Sequence, residues 1–388
     1  MRIAHICAYA WEVGGPSKVI YDHTAIALSE GHQVDILSPY SDDDTPYPVP
    51  EGGHLLRFRR TTPISRGFRE FSWPLYRYLR RHIGEYDVIH CHGLWHWASI
   101  APFMIHSPDV AKVVTVHGVL DRWVYAQHRW KKRLMDVLVQ HRFLQRADLI
   151  HVITTEEQAD VERYLGRPHP NIVCIPNGIK LSDFEDMPPV GTYRRAIGIR
   201  ENQKIVLFMS RLNAKKGLDL LLPAFRQYIH DQSDAVLILA GSDDGYSHVV
   251  QQFIQQHQLQ DNVRMVGMLT GQHKMAALTD ADLFTLPSYS EGFSIACLEA
   301  MAAGTPTLLS DRVGFSEAIR EYDASQLIQL TPESLLEGLK TLLNTPARRE
   351  TIRQNAKRLV SEQYDINELS LRLLDQYRKI LKKPRQKQ

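Results

Sequence analysis

Residues 287–306, PSYSEGFSIACLEAMAAGTP, hold two carboxylates, Glu291 and Glu299, eight residues apart on either side of a helix start. Ser294 reads as the N-cap, and Gly304 with Pro306 as the stop. The helix then offers the backbone N–H groups of Gly292, Phe293, Ser294 and Ile295 to an anion, through unsatisfied donors and the helix dipole. Two carboxylates at that spacing flank one ligand rather than share a proton. A nucleotide sugar suits them, with one accepting from sugar hydroxyls, the other from ribose hydroxyls, and the diphosphate between. Taken alone, the pair would also fit a first-turn glutamate beside a solvated one.

A second cluster supplies cations. KIVLFM reads as a strand, and SRLNAKKG after it sets Ser210, Arg211, Lys215, Lys216 and Gly217 in the loop before the next helix. Arg211 brings a planar fork and Lys216 a compact charge, and together they can neutralise a diphosphate. The loop matches neither a Walker A cradle nor a G-x-G-x-x-G fingerprint, which removes the kinase and dehydrogenase readings. Near the N-terminus, WEVGGPSK follows a strand and opens a helix, with Gly14 and Gly15 letting backbone approach a ligand closely. KVVTVHG sets His117 at the carboxyl end of a strand, where ligands meet open α/β sheets. In VIHCHG, His90 and His92 share one strand face and Cys91 takes the other, a poor arrangement for tetrahedral zinc. They read as packing or acceptor-cleft residues. Trp95, Trp97, Trp123, Tyr125 and Trp130 form an aromatic run that can stack on sugar rings or line a core.

These residues need a scaffold, and its elements are legible. Short β-branched runs (RIAHICAY, QVDILS, YDVIHCH, KVVTVHG, LIHVIT) alternate with helix-period stretches. A second series follows from KIVLFMSR through AVLILAG, NVRMVG and ADLFTLPS. That alternation predicts βαβ units and parallel sheets in two α/β domains. The 388 residues accommodate them at ~150 residues each. The boundary is expected near residues 177–183, inside the Pro/Gly-rich segment 171–194, and residues 42–53 read as an exposed loop.

A hydrophobic fraction of 44% with 23% charged residues marks a globular chain, and a net charge of +2 argues against wholesale nucleic-acid binding. Four dispersed cysteines suit a reducing cytoplasm. No apolar run is long enough to span a bilayer. The basic KKPRQK ending and the aromatic run make peripheral attachment to the inner face of an anionic membrane a secondary expectation.

Together these motifs resemble the retaining GT-B glycosyltransferases of family four, the group called glycosyl transferases group 1, over nearly the whole chain. The resemblance rests on Gly14 and Gly15, His117 of VHG, SRLNAKKG and, most specifically, EGFSIACLE followed by AMAAGTP. It implies two Rossmann-like, doubly wound parallel-sheet domains facing a central cleft. Residues 1–180 would be the acceptor side, 181–365 the donor side, and 366–388 a helix crossing back with a basic tail. By position, it assigns Arg211 and Lys216 to the donor diphosphate, Glu299 to the ribose, Glu291 and His117 to the transferred sugar, and Gly15 to a backbone donor. Gly267, Met268 and Leu269 match the base-contacting loop more loosely. The implied activity is retaining transfer of a hexose from a UDP- or GDP-type sugar to a glycan or lipid-linked oligosaccharide, in cell-surface polysaccharide synthesis. The nucleotide sugar is then a substrate, and no cofactor or metal is required. A nucleotide-sugar epimerase on the same fold and a noncatalytic binding protein are the alternatives.

Overall fold

The computed structural model describes residues 1–7, 15–42, 44–62, 64–67, 70–121, 125, 132–133, 135–231 and 234–382. The chain divides into two compact units, Met1–Gly178 with Ile366–Gln388, and Ile179–Asp365.

The first unit is built on seven strands: β1 (Arg2–Cys7), β2 (Gln33–Tyr40), β3 (His54–Arg59), β4 (Val88–His92), β5 (Ala111–Thr115), β6 (Leu149–Val152) and β7 (Ile172–Cys174). All pairings are parallel, in the order β3-β2-β1-β4-β5-β6-β7. The second unit has β8 (Lys204–Met209), β9 (Ala235–Ala240), β10 (Val263–Gly267), β11 (Leu283–Leu286), β12 (Thr307–Ser310) and β13 (Gln326–Ile328). They are also parallel, in the order β10-β9-β8-β11-β12-β13. Central strands such as AVLILA are apolar at every position because helices cover both faces of a parallel sheet. Two parallel-sheet α/β units of this kind make the fold GT-B.

In each unit the strand order reverses once, between β1 and β4 in the first and between β8 and β11 in the second. Open α/β sheets bind ligands at the carboxyl edge at such points.

The last helix, Ile366–Lys382, belongs to the first unit. Its Leu369, Leu373, Tyr377 and Ile380 recur at helical spacing and join the core of Ile3, Val34, Val88 and Val113. Burying each such side chain is worth about 1.5–3 kcal/mol. Two sequence expectations are corrected. Residues 172–174, read as part of the connecting segment, pair with β6 as an edge strand. The loop at 42–53 is not wholly exposed: Tyr47 is buried, its hydroxyl 2.8 Å from Cys7 Sγ and 2.9 Å from Ser17 Oγ. An aromatic ring with a bonded hydroxyl anchors this otherwise polar loop. No helix among the described residues is long and apolar enough to cross a membrane.

Candidate active site

The carboxyl edge of the second sheet gathers the charged residues. After β8, Asn213 caps a short 3₁₀ turn, accepting from Lys215 N at 2.8 Å, and Gly217 ends it at φ +71°. A Cβ at Gly217 would lie 1.9 Å from the carbonyl oxygen of Pro287, so only glycine lets this turn rest on the loop that follows β11. Tyr289 N donates to Lys215 O at 2.9 Å, which joins the two loops. That contact brings Lys216 Nζ onto Glu291 Oε2, with Ser288 Oγ donating to the same oxygen at 3.4 Å. Both charged side chains are largely buried, 12% and 13% exposed. The backbone of Glu291 is itself fixed: its N–H donates to Arg312 O at 3.0 Å, and its carbonyl accepts from Gly314 N at 2.8 Å.

The helix Ile295–Ala303 starts beside this pair. Ser294 Oγ accepts from Cys297 N at 3.3 Å, and Gly304 closes the helix in the left-handed region at φ +78°. Phe293 turns its ring into a cluster with Phe315 and Tyr364, at centroid distances of 5.2 and 5.8 Å, which anchors the segment before the cap. Glu299 pairs with Lys274 at 2.6 Å. Arg211 lies at the same edge but is 59% exposed and bonds Asp244 at 2.8 Å instead of joining the Lys216–Glu291 pair. Asn213 Nδ2 donates to the same Asp244 oxygen at 3.0 Å. At the end of β10, Gly267 has φ +70° and its carbonyl accepts from Gly241 N at 2.8 Å, while Met268 is exposed. Leu269 packs partly against the core.

In the first unit, His117 has φ +59°, rare for a residue with a side chain. Its Nε2 and His92 Nδ1 share a 3.0 Å hydrogen bond, and His92 Nε2 and His5 Nδ1 share another of 3.0 Å. A parallel chain runs from Tyr377 Oη to His90 Nδ1 at 2.6 Å, from His90 Nε2 to Thr115 Oγ1 at 2.6 Å, and on to His151 Nδ1 at 2.8 Å. Burial pushes these imidazoles down, His5 and His151 to about 4 and His117 to about 3, with His151 adding repulsion at His117. His90 and His92 are driven well below the ordinary histidine range, again mainly by burial. His5, His90 and His92 offer nitrogens within 4.8 Å of one another. However, both nitrogens of His90 and both of His92 already hold hydrogen bonds. The donor set is that of a neutral hydrogen-bonded array.

Gly15 opens the helix Gly15–Ser29, and Lys18 pairs with Asp22 at 2.7 Å. Gly14, Trp123, Trp130 and residues 383–388 of the basic tail lie outside the described residues. Trp97 is buried against Phe71, and the Trp95 indole donates to Asp136 at 2.7 Å, as does the Tyr125 hydroxyl.

Residues 190–359 match the family model described as Glycosyl transferases group 1, and residues 13–183 match that of Glycosyltransferase Family 4. The chain belongs to the group 1 glycosyltransferases. This glycosyltransferase is 26% identical, over 90% of its length and 89% of the relative's, to the phosphatidyl-myo-inositol mannosyltransferase of Mycobacterium leprae. Among solved structures, the sucrose-phosphate synthase of Thermosynechococcus elongatus matches with a TM-score of 0.82 at 21% identity, covering 98% of this chain and 99% of that one. HepE of Anabaena, solved with UDP and glucose, matches with a TM-score of 0.78 at 19% identity, covering 98% and 100%.

Three partners in this glycosyltransferase lie outside the sequence motifs: Lys274 for Glu299, Asp244 for Arg211, and Glu157, which accepts from the amide of Gly118. The first two carry no local signal, since each contact spans 25 residues or more. Glu157 does: Thr154-x-x-Glu157 is a capping-box string, and Thr154 Oγ1 accepts from Glu157 N at 3.1 Å.

Proposed function

We propose that this glycosyltransferase moves a hexose-type sugar, with retention of anomeric configuration, from a UDP- or GDP-type nucleotide sugar to a glycan or lipid-linked acceptor in cell-surface polysaccharide synthesis. The observation that carries the reading is the Lys216–Glu291 contact at the point where the second sheet reverses its strand order. A fixed cation and a fixed carboxylate there suit a ligand with an anionic leaving group joined to a polyhydroxylated ring. The UDP and glucose in the HepE structure and the mannosyl transfer named for the mycobacterial relative support the same class.

In this reading Lys216 and Arg211, with the helix start at Ile295, stabilise the charge that develops on the departing diphosphate. Such groups raise the rate because they bind the transition state more strongly than the ground state. Arg211 exchanges Asp244 for the donor. Glu291 accepts from hydroxyls of the transferred sugar and Glu299 from the ribose, each keeping a lysine as counter-charge. His117, held neutral, offers a ring nitrogen to a sugar hydroxyl. The acceptor hydroxyl attacks from the face the diphosphate leaves, so no enzyme nucleophile is needed. The two cations take the part a divalent ion would otherwise play.

The test is a panel of UDP- and GDP-sugars with the purified full chain, reading nucleoside diphosphate release and the anomeric configuration of the product by NMR. Transfer with retention is expected, and Lys216→Ala should lower kcat by about 10²–10³. No turnover of any donor, together with unchanged donor binding in Lys216→Ala, would overturn the assignment. A C2-epimerised sugar formed without acceptor would replace it with an epimerase.

A further inference from the structure

His117 stands in the left-handed region at φ +59°, a conformation that costs a side-chain-bearing residue on the order of 1–3 kcal/mol unless its surroundings enforce it. The ring is held from one side by His92 and, through it, His5. On the backbone side, the next amide, Gly118 N–H, donates to Oε1 of Glu157. This carboxylate is only 4% exposed, and its second oxygen accepts from Ile153 N at 2.6 Å. Its own amide is fixed by the Thr154 cap at the start of the helix Thr155–Leu165. In an ordinary capping box the glutamate reaches back to the N-cap amide. Here it accepts instead from the residue before the cap and from a loop 39 positions away.

We propose that Glu157 is a positioning residue for His117: by accepting the Gly118 amide, its carboxylate locks the loop after β5 in the conformation that presents the His117 ring. The proposal rests on the reading of His117 as a substrate-contacting residue. Glu157 touches no reacting atom and acts only through the peptide that follows His117.

An ionised carboxylate accepts at both oxygens, whereas a protonated one turns one oxygen into a donor facing an N–H. The lock therefore depends on the charge. Burial pushes the Glu157 carboxyl up to about 7, against the pull of its two amide donors, and Asp160 on the same helix pushes it the same way. Among the described residues, Cys174 on β7 also feels the Glu157 charge, with Arg372 and Glu156 acting on the same thiol, and His117 lies beyond the bonded amide. His117 stays neutral through this range, so the charge that changes near neutral pH is that of Glu157. As pH falls through about 7 the lock opens, and kcat falls with it.

The test compares the parent chain, Glu157→Gln, His117→Ala and the double variant. Glu157→Gln should lower kcat roughly tenfold or more with a smaller change in donor KM, because a displaced group costs the chemical step more than binding. It should also remove the acidic limb of the pH profile. In the His117→Ala background the same substitution should cost nothing further, the non-additivity expected of residues acting as one unit. Equal losses in both backgrounds, or an acidic limb that survives in Glu157→Gln, overturn the proposal. Full activity in His117→Ala removes His117 from the reaction and this proposal with it. An inactive His117→Ala beside an unaffected Glu157→Gln overturns the role of Glu157 alone. Should Glu157→Gln fail to fold, the Gly118 amide proton of the parent chain decides the matter by NMR. Its shift should titrate between about pH 6 and pH 8 as the bonded carboxylate gains its proton, and a flat response overturns the proposal.

Discussion

Lys216 and Glu291 are 75 positions apart and meet in a contact that excludes most water from both charges. The contact exists because Gly217 lies against the carbonyl of Pro287, which fastens the loop after β8 to the loop after β11. A backbone approach open to glycine alone thus sets the distance between a cation and a carboxylate.

That pairing separates stability from activity. Lys216→Met leaves Glu291 nearly buried without its counter-charge and should cost about 1–3 kcal/mol. Adding Glu291→Gln removes the stranded charge, so the double variant should regain most of the loss while staying inactive. Urea midpoints beside nucleoside diphosphate release check both halves. A double variant as unstable as the single one would contradict the prediction.

Gly217→Ala and Gly241→Ala should each destabilise by about 1–3 kcal/mol or more, from positive φ combined with a backbone clash. The added Cβ would meet Pro287 O at 1.9 Å in the first case and Ser210 O at 1.9 Å in the second. Gly84, with nothing within 4 Å among the described residues, is the control. Its alanine variant should stay within about 0.5 kcal/mol. Thermal or urea unfolding of the three variants reads the difference.

The histidine array makes the first unit acid-sensitive. His5, His23, His90, His92, His117 and His151 are all depressed, chiefly by burial, so the folded state holds them neutral where the unfolded chain takes up protons. Their stabilisation is complete above about pH 6.5, the ordinary histidine value, and is lost as pH falls toward about 4. Glu157, raised to about 7, works in the opposite sense but is one group against six. Differential scanning calorimetry from pH 8 to pH 4 should show the first unit's transition falling steeply with uptake of several protons. A transition independent of pH over that range would contradict the prediction.

What the amino-acid order determined by itself is the part that local chemistry encodes. Unbroken β-branched runs announce parallel strands, Ser294 and Gly304 announce the ends of one helix, and EGFSIACLE with SRLNAKKG announces the family. Each signal spans one turn, one strand or one loop, so no folded partner is needed to read it. Tertiary structure alone decided which distant groups meet. Lys274 reaches Glu299, Asp244 holds Arg211, and Glu157 fastens the amide after His117. The short strand at 172–174 carries no signal of its own, because three residues have no period, and β6 supplies the hydrogen bonds that define it. The six histidines come from β1, β4, β6, a helix and the loop after β5, and none signals its neighbours in the chain. Strand order and register place His5 beside His90 and next to His92, and no local pattern specifies either. Only after the sheet has assembled does a buried imidazole have another imidazole, rather than water, to bond.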